Sequence, residues 1–164
     1  MANIILYTEA LAAGLTRRRQ TLSTAESCTG GLLGALLTEA PGSSAYYLGG
    51  VVTYANELKQ NLLGVQAEII RRRGAVSGEV AREMAAGVRR LTGSDWSLSV
   101  TGVAGPAATE FKPAGLVWIG LAGPQLIWAG EFRFEGGRAE VRRQAAEKAI
   151  RLLAEKFSPE GKNA

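Results

Sequence analysis

The feature that most constrains the fold is an alternation of helical and strand patterns along all 164 residues. Some segments place apolar residues at helical spacing, whereas others are rich in β-branched and aromatic residues or alternate with period two. The predicted helices cover residues 3–19, 32–37, 56–63, 68–73, 77–92 and 139–157, and the predicted strands cover residues 21–25, 46–54, 96–101, 116–121 and 126–134. This order predicts an α/β fold, a single-domain layered α/β sandwich with a mixed sheet of about five strands flanked by helices.

Local residue preferences refine several boundaries. Ser77 and Asn56 begin helical patterns and are predicted to be N-cap residues. Gly49-Gly50 is expected to interrupt the second strand, and Gly123-Pro124 predicts a hairpin between the last two strands. The period-two alternation over residues 96–101 predicts a half-buried strand.

Length and composition indicate one globular domain, spanning residues 1–164, without a membrane span. A chain of this length with 46% hydrophobic residues can bury a full core. Residues 158–164 are expected to form a loose tail. Residues 1–7 are too short and lack the basic region of a signal peptide, and a lone cysteine cannot form an internal disulfide. We therefore expect a soluble, cytoplasmic protein.

The absence of histidine excludes several catalytic classes. The chain has no histidine, and Cys28 and Asp95 are its only cysteine and aspartate. A Ser-His-Asp or Cys-His hydrolase needs an imidazole base, a histidine and cysteine zinc site needs several such ligands, and two-metal phosphoryl sites normally use several aspartates. An enzyme in this chain must take its base from Lys, Glu, Tyr or water, and we expect no metal and no organic cofactor.

The net charge of +4 raises the question of a nucleic-acid partner. Two arginine triplets, Arg17–Arg19 and Arg71–Arg73, stand near the predicted ends of helices. Cations there complement the helix macrodipole, and no aromatic residues interleave with them as a stacking platform would require. We interpret both triplets as solvated helix ends and expect no nucleic-acid partner.

The strongest local signal is a strand-to-helix turn at residues 26–31 that contains Ser27. In such a turn, backbone N–H groups around Thr29, Gly30 and Gly31 can stabilise an oxyanion or a phosphate at a helix start. A nucleophilic Ser27 would then have its oxyanion site built in. The alternative is that Ser27 or Thr29 is an ordinary N-cap and that the glycines permit close packing.

Lys59 offers a base that needs no histidine. It falls in the first turn of a predicted helix, just after Tyr54, which ends a predicted strand. A cation at a helix start is opposed by the macrodipole, and both this field and burial lower a lysine pKa. The alternative is an exposed lysine on a polar helix face.

Two further sites could contact a ligand. Thr101 and Gly102 end a strand and begin a glycine-rich turn, which is where open α/β sheets usually bind ligands. Arg138 begins the last helix and shares a face with Arg142, so this pair could bind a phosphate or carboxylate. The alternative for the arginines is a solvated helix start.

Five sequence blocks together resemble the C-terminal domain of the CinA family, which includes stand-alone nicotinamide mononucleotide deamidases. The blocks occur in order as Thr24–Gly31, Val52–Lys59, Gly74–Ser77, Thr101–Pro106 and Lys112–Gly115. The resemblance extends over about residues 5–155. It implies a compact α/β sandwich that forms homo-oligomers, dimers or larger. The larger members also carry an N-terminal pyrophosphatase-like domain, for which we expect no room in this chain.

The resemblance implies an amidohydrolase that converts nicotinamide mononucleotide to nicotinic acid mononucleotide and ammonia. The catalytic serine, lysine and tyrosine of the family match Ser27, Lys59 and Tyr54. Thr101 and Arg138 match positions expected to contact the ribose phosphate. The implied partner is therefore a small nucleotide.

One departure from the family concerns residues 107–111, where Ala-Ala-Thr-Glu-Phe stands in place of a glycine-rich stretch. These residues restrict the loop and add bulk, so activity or substrate preference could be altered. A catalytically silent nucleotide-binding or interaction domain of the same family is therefore an alternative. A nucleic-acid binder is a third alternative, motivated by the net charge and by the association of the family name with competence and DNA damage.

Overall fold

The structure is a computed structural model that describes residues 2–109 and 111–157. Its helices are α1 (Ala2–Arg18), α2 (Leu32–Thr38), α3 (Asn56–Leu63), α4 (Ala67–Arg73), α5 (Gly78–Thr92) and α6 (Arg138–Ala154). Its strands are β1 (Leu22–Glu26), β2 (Tyr47–Val52), β3 (Trp96–Gly102), β4 (Leu116–Gly123) and β5 (Leu126–Arg133), and a 3₁₀ turn at Ser43–Ala45 precedes β2. The predicted tail at residues 158–164 lies outside the described residues.

The strands form one mixed sheet in the order β2-β1-β3-β4-β5. The first three pair in parallel, whereas β4 is antiparallel to both β3 and β5. The hairpin predicted at Gly123-Pro124 joins β4 to β5 through two residues. The predicted α/β sandwich with a five-stranded mixed sheet is therefore confirmed.

Helices cover both faces of the sheet. One face carries α2 and α6, with α1 packed on α6, and the other carries α5, against which α3 and α4 lie. Because β3 lies in the middle of the sheet, five of its residues are buried, and the predicted half-buried strand is wrong. The polar residues of its alternation point into the protein, where the Ser97 and Ser99 hydroxyls donate to the carbonyls of Ala85 and Ala81 on α5. On the face of β3 that lies close to α5, the buried side chains are therefore serines rather than larger apolar residues.

The predicted helix caps have mixed outcomes. Ser77 caps α5, since its hydroxyl accepts a hydrogen bond from the N–H of Val80. Asn56 does not cap α3, because Ala55 occupies the N-cap position and the helix begins at Asn56 itself. The second strand continues through Gly49-Gly50, but its pairing with β1 is irregular just before them, since Leu22 pairs with Tyr47 and Ser23 with Gly49.

The loops that follow the three parallel strands meet at one end of the sheet. Ser27 follows β1, Thr53 and Tyr54 follow β2, and Gly102 ends β3. The carboxyl ends of parallel strands are where open α/β sheets usually form ligand sites. This end therefore collects three of the sequence blocks in which reactive side chains were predicted.

None of the helices described is long and apolar enough to span a bilayer.

Gly120 provides a test of how closely α5 approaches the sheet. A Cβ at this position would overlap the Ala81 carbonyl oxygen and the Ser99 hydroxyl. We expect Gly120→Ala to lower the free energy of unfolding by about 1–3 kcal/mol, because neither neighbour can move without shifting α5. The measurement is urea denaturation, with Gly137→Ala as control, since a Cβ there meets nothing closer than 4.0 Å. Equal stability of both variants would contradict this account of the packing.

Candidate active site

The turn that carries Ser27 is tied to the central strand of the sheet. The Ser27 N–H donates to the Val100 carbonyl on β3 at 2.9 Å, and the Ser27 carbonyl accepts from the Gly30 N–H at 3.1 Å. Ser27 is 9% exposed, and what remains accessible lines a cavity. The hydroxyl is thus held at a fixed point of the cavity wall.

Helix α2 begins at this turn, and a glutamate caps it. The Glu26 carboxylate, which is 2% exposed, accepts hydrogen bonds from the N–H groups of Gly31, Leu33 and Gly34 at 2.9, 3.0 and 2.8 Å. Gly31 is the N-cap residue, and its φ of 98° is a conformation that glycine adopts without strain. The alternative in which Ser27 or Thr29 caps this helix is therefore wrong.

Lys59 is buried and reaches Ser27. Its side chain is 1% exposed, and its Nζ lies 3.2 Å from the Ser27 Oγ. Nζ also donates to the carbonyls of Thr53 at 2.7 Å and Tyr54 at 3.1 Å. Burial lowers the pKa of the Lys59 amine, and the nearby negative charge of Glu57 offsets part of this effect. The exposed lysine considered from the sequence is thus excluded.

The three partners of Lys59 can accept the three hydrogens of an ammonium, and they also suit the neutral amine that forms when one proton is lost. A neutral amine has two hydrogens and one lone pair. The Thr53 and Tyr54 carbonyls can only accept, so they take both hydrogens. The lone pair then faces the remaining partner, the Ser27 hydroxyl. Deprotonated Lys59 is therefore oriented to receive the Ser27 proton.

Tyr54 reaches the other wall of the site. Its side chain is 58% exposed, and its hydroxyl accepts a hydrogen bond from the Arg138 guanidinium at 3.0 Å. The same guanidinium donates to the Gly105 carbonyl at 2.8 Å. Arg138 thus joins the residues after β2 to the loop after β3. Tyr54 contacts Lys59 through its backbone carbonyl rather than through its hydroxyl.

A cavity of about 290 Å³ lies between these groups. Its described lining is uncharged or basic: no carboxylate is among those residues, whereas the Lys59 and Arg138 side chains are. The lining also includes Ala107 and Thr109, two residues of the segment that departs from the family pattern. The site therefore favours a ligand that carries negative charge.

Thr101 and Gly102 line the cavity as predicted, but the Thr101 hydroxyl has little freedom. Thr101 is 1% exposed, and its Oγ1 donates to the Ala75 carbonyl at 2.8 Å. With its hydrogen engaged, this hydroxyl can only accept from a ligand. It can therefore bind a sugar hydroxyl but cannot donate to a phosphate oxygen.

Three predicted oxyanion residues lie outside the cavity. Thr29, Gly30 and Gly31 are not among its lining residues, and the N–H groups of the two glycines already donate to Ser27 and Glu26. Thr29 is fully buried, and its hydroxyl has no partner among the described residues. The structure therefore does not place these three residues at the cavity that Ser27 and Lys59 line.

Cys28 is another candidate for stabilising an oxyanion. It follows Ser27 directly and lines the cavity, and its N–H interacts with its own thiol but donates to no oxygen within the part of the chain described. The residue after the nucleophile supplies an oxyanion donor in other hydrolases with a strand-turn-helix nucleophile. Burial raises the pKa of the Cys28 thiol to about 11, so the thiol stays protonated at neutral pH and does not compete with Ser27 as a nucleophile.

Two charged residues at this site have contacts that the sequence analysis did not predict. Glu26 was interpreted only as part of the turn. Arg142 was predicted to share a phosphate or carboxylate with Arg138, but it does not line the cavity and donates to the Cys28 and Thr29 carbonyls instead. The available signal for Glu26 was a carboxylate next to a predicted strand, just before a helix preceded by Gly30-Gly31, which have no side chains to cap it. No group of three or more His, Cys, Asp or Glu side chains that could hold a metal ion lies within residues 2–109 and 111–157.

Comparison with known sequences identifies the family of this chain. The family described as the CinA C-terminal domain matches residues 6–157. A CinA-like protein of Thermosynechococcus vestitus is 53% identical over 143 residues, which are 85% of this chain and 34% of that protein. A CinA-like protein of a Cyanothece species is 52% identical over 146 residues, 87% of this chain and 35% of that protein. The chain thus spans about a third of the length of these relatives.

Solved structures agree in fold over nearly the whole chain. The competence damage-inducible protein A of Klebsiella pneumoniae superimposes with a TM-score of 0.91 at 36% identity, covering 96% of this chain and 98% of that one. A competence-damaged protein (CinA) superfamily protein of Escherichia coli gives a TM-score of 0.89 at 35% identity, covering 92% and 89%. With these matches, the chain belongs to the CinA family and corresponds to its C-terminal domain.

Proposed function

We propose that this chain hydrolyses the carboxamide of nicotinamide mononucleotide, giving nicotinic acid mononucleotide and ammonia by a Ser-Lys mechanism. The observation that carries the proposal is the buried contact of 3.2 Å between the Lys59 amine and the Ser27 hydroxyl. The names of the relatives identify them as CinA-like or competence-related and specify no reaction. The reaction is therefore argued from the site and from the family resemblance.

The first step is attack of Ser27 on the carboxamide carbon. Neutral Lys59 removes the hydroxyl proton as the Oγ–C bond forms, and the carbonyl oxygen becomes an oxyanion. The N–H of Cys28 is the donor that we assign to this oxyanion. One such donor contributes about 3–4 kcal/mol to transition-state stabilisation in another serine hydrolase.

The second step releases ammonia. The Lys59 ammonium returns its proton to the amide nitrogen as the C–N bond breaks, which leaves an acyl ester on Ser27. Water, deprotonated by the same amine, then attacks the ester carbon. The C–Oγ bond breaks, Lys59 returns the proton to the Ser27 oxygen, and the carboxylate is released. The Tyr54 carbonyl holds Lys59 throughout, and the Tyr54 hydroxyl holds Arg138. These steps use neither a metal nor an organic cofactor.

The cavity suits a phosphorylated substrate. Arg138 is exposed at its mouth, where a guanidinium can bind a phosphate with paired hydrogen bonds. Thr101 lies deeper, and its free lone pair suits a ribose hydroxyl. We accordingly assign the phosphate to Arg138 and a sugar hydroxyl to Thr101.

The proposal includes a cytoplasmic location, a homo-oligomeric state, and no nucleic-acid or membrane partner. Four apolar side chains of the edge strand β2 and of α3 are more than 40% exposed, and they are Leu48, Val52, Leu58 and Leu62. Exposed apolar side chains of this size often mark subunit contacts. Light scattering in solution tests the oligomeric state.

A catalytically silent nucleotide-binding domain is the second candidate. It is favoured by the residues between Pro106 and Phe111, since Ala107 and Thr109 narrow the cavity where the family usually has glycines. Glu110 of this segment lies outside the described residues. Calorimetry separates the candidates, because binding of nicotinamide mononucleotide without ammonia release would favour the silent domain.

Removal of either reactive group should abolish turnover. We expect Ser27→Ala and Lys59→Met each to lower kcat for ammonia release by about 10³-fold or more, since each removes a partner of one proton transfer. The controls are Ser44→Ala and Lys156→Met, which change exposed residues of the same types. Equal ammonia release by all five proteins would sink the Ser-Lys mechanism.

The rate should rise with pH as Lys59 loses its proton. Because burial lowers the Lys59 pKa from 10.5, the neutral amine gains population below that pH. We expect kcat/KM to increase with pH along a limb whose midpoint lies below 10.5, and Lys59→Arg to be inactive throughout. The measurement is ammonia release between pH 6 and 10, with the fold monitored by circular dichroism. A rate that falls over this range while the fold persists would exclude Lys59 as the base.

Arg138 should determine the preference for a phosphorylated substrate. We expect Arg138→Met to raise KM for the mononucleotide by about 10–100-fold and to leave kcat within a few-fold. This change in KM corresponds to the free energy that one hydrogen bond to a charged group contributes. The nucleoside without phosphate should react equally slowly with variant and wild type. Arg143→Met is the matched control, because this exposed arginine pairs with Glu147 instead. A parallel loss with both substrates would contradict the assignment.

A further inference from the structure

Two charged side chains hold the Ser27 turn from opposite sides, and the proposed chemistry uses neither. Glu26 precedes Ser27 in the chain, and Arg142 lies on α6 one turn after Arg138. They do not form a salt bridge with each other. Each binds backbone groups of the turn, the carboxylate its N–H groups and the guanidinium its carbonyls.

The Arg142 contacts fix two successive carbonyls. Its Nε donates to the Cys28 carbonyl at 3.1 Å, and a terminal guanidinium nitrogen donates to the Thr29 carbonyl at 2.8 Å. Arg142 is half-buried and does not line the cavity, so a ligand there does not contact it. Its role must be exerted through the turn.

The Glu26 contacts fix the next part of the backbone. Its Oε2 accepts from Gly31 and Leu33, and its Oε1 accepts from Gly34. The negative charge also lies at the positive end of α2, which is favourable. The backbone between Ser27 and α2 is therefore held at its carbonyls by a cation and at its N–H groups by an anion.

The hydrogen bonds of Glu26 and Arg142 to the backbone also orient the Cys28 N–H, which is the proposed oxyanion donor. In a planar trans peptide the carbonyl and the N–H point in opposite directions. The peptide between Ser27 and Cys28 is anchored at its carbonyl by the Gly30 N–H. The peptides on either side of Gly30 are in turn anchored by Arg142 and Glu26. Rotation of the Cys28 N–H away from its present direction would break several of these bonds together.

We infer that Glu26 and Arg142 are positioning residues that fix the Ser27 hydroxyl and the Cys28 N–H for acyl transfer. The inference rests on the proposed function, because it assumes that Ser27 is the nucleophile. A misplacement of about 1 Å at a reacting group can lower a rate by about 10²-fold. Loss of either charged partner should therefore lower kcat while KM changes little.

Glu26→Gln changes the hydrogen bonding with almost no change in shape. The amide oxygen can still accept the two bonds that Oε2 accepts, but its NH₂ group then meets the N–H of Gly34, which is also a donor. At least one bond and the negative charge are lost. Arg142→Lys keeps the charge but loses the planar fork that reaches two carbonyls. Arg142→Met removes both.

The experiment measures the reactivity of Ser27 directly, without the amide substrate. A fluorophosphonate probe forms a bond from the Ser27 Oγ to phosphorus, releases fluoride, and leaves the serine proton on Lys59. Its second-order rate is compared for wild type, Glu26→Gln, Arg142→Lys and Arg142→Met. Two substitutions of exposed residues are the matched controls. Glu39→Gln lies at the C-terminal end of α2, and Arg143→Met lies on α6. All are assayed at least 20 °C below their own Tm, so that each protein is folded.

We expect about 10²-fold slower labelling for Glu26→Gln and Arg142→Met, a smaller loss for Arg142→Lys, and wild-type rates for both controls. Ammonia release should show the same loss in kcat, with KM within about threefold. Wild-type labelling rates in the folded Arg142 variants would overturn the inference alone, even if Glu26→Gln did not fold. Failure of wild type to be labelled at Ser27 would overturn the nucleophile assignment and this inference with it.

Discussion

The burial of one amine organises the whole site. An isolated ammonium away from water is unfavourable, and a side chain that is 1% exposed must either find acceptors or lose its proton. Lys59 does the first through two carbonyls, from Thr53 and Tyr54, that the end of β2 presents to it. The second is promoted by the same burial. A lowered amine pKa and fixed hydrogen-bond directions thus arise from one arrangement of backbone.

The start of α2 illustrates how charge is distributed around a nucleophile. A helix N-terminus has free N–H groups that could bind a substrate anion. Here Glu26 occupies them, so the positive end of the helix stabilises the protein's own carboxylate instead. The basic side chains that line the cavity are those of Lys59 and Arg138. The groups that hold the Ser27 turn are therefore different from the basic side chains that line the cavity.

Much of the fold could be predicted from the sequence, because the periodicity of apolar residues reflects which face each element buries. The sheet, the hairpin after Gly123 and the Ser77 cap all follow from local patterns. The errors are those that depend on neighbours. The alternation in β3 looked like a solvated face, but its serines bond to α5, and a pattern of residue types cannot show which helix lies above.

In the site as well, features that follow from local residue patterns were predicted, and features that depend on neighbours in space were not. The resemblance to the family brought Ser27, Lys59 and Tyr54 together, because these residues match its catalytic positions. Sequence reasoning placed the oxyanion donors at Gly30 and Gly31, whose N–H groups are engaged within the protein. That error could not be avoided from the sequence alone, since hydrogen bonds to backbone groups leave little trace in residue identity. The contacts of Arg142, more than a hundred residues away in the chain, were hidden for the same reason.

The parallel pairing of β1 with both β2 and β3 has a consequence for folding. Ser27, Lys59 and Thr101 come from three distant parts of the chain and meet only when these strands have paired. Parallel pairing of this kind closes long loops, which is slow and occurs late compared with helix formation. A chain that has formed its helices but not its sheet leaves Ser27 without a base. The contact between Ser27 and Lys59 on which the proposed chemistry rests therefore forms only when the sheet has assembled.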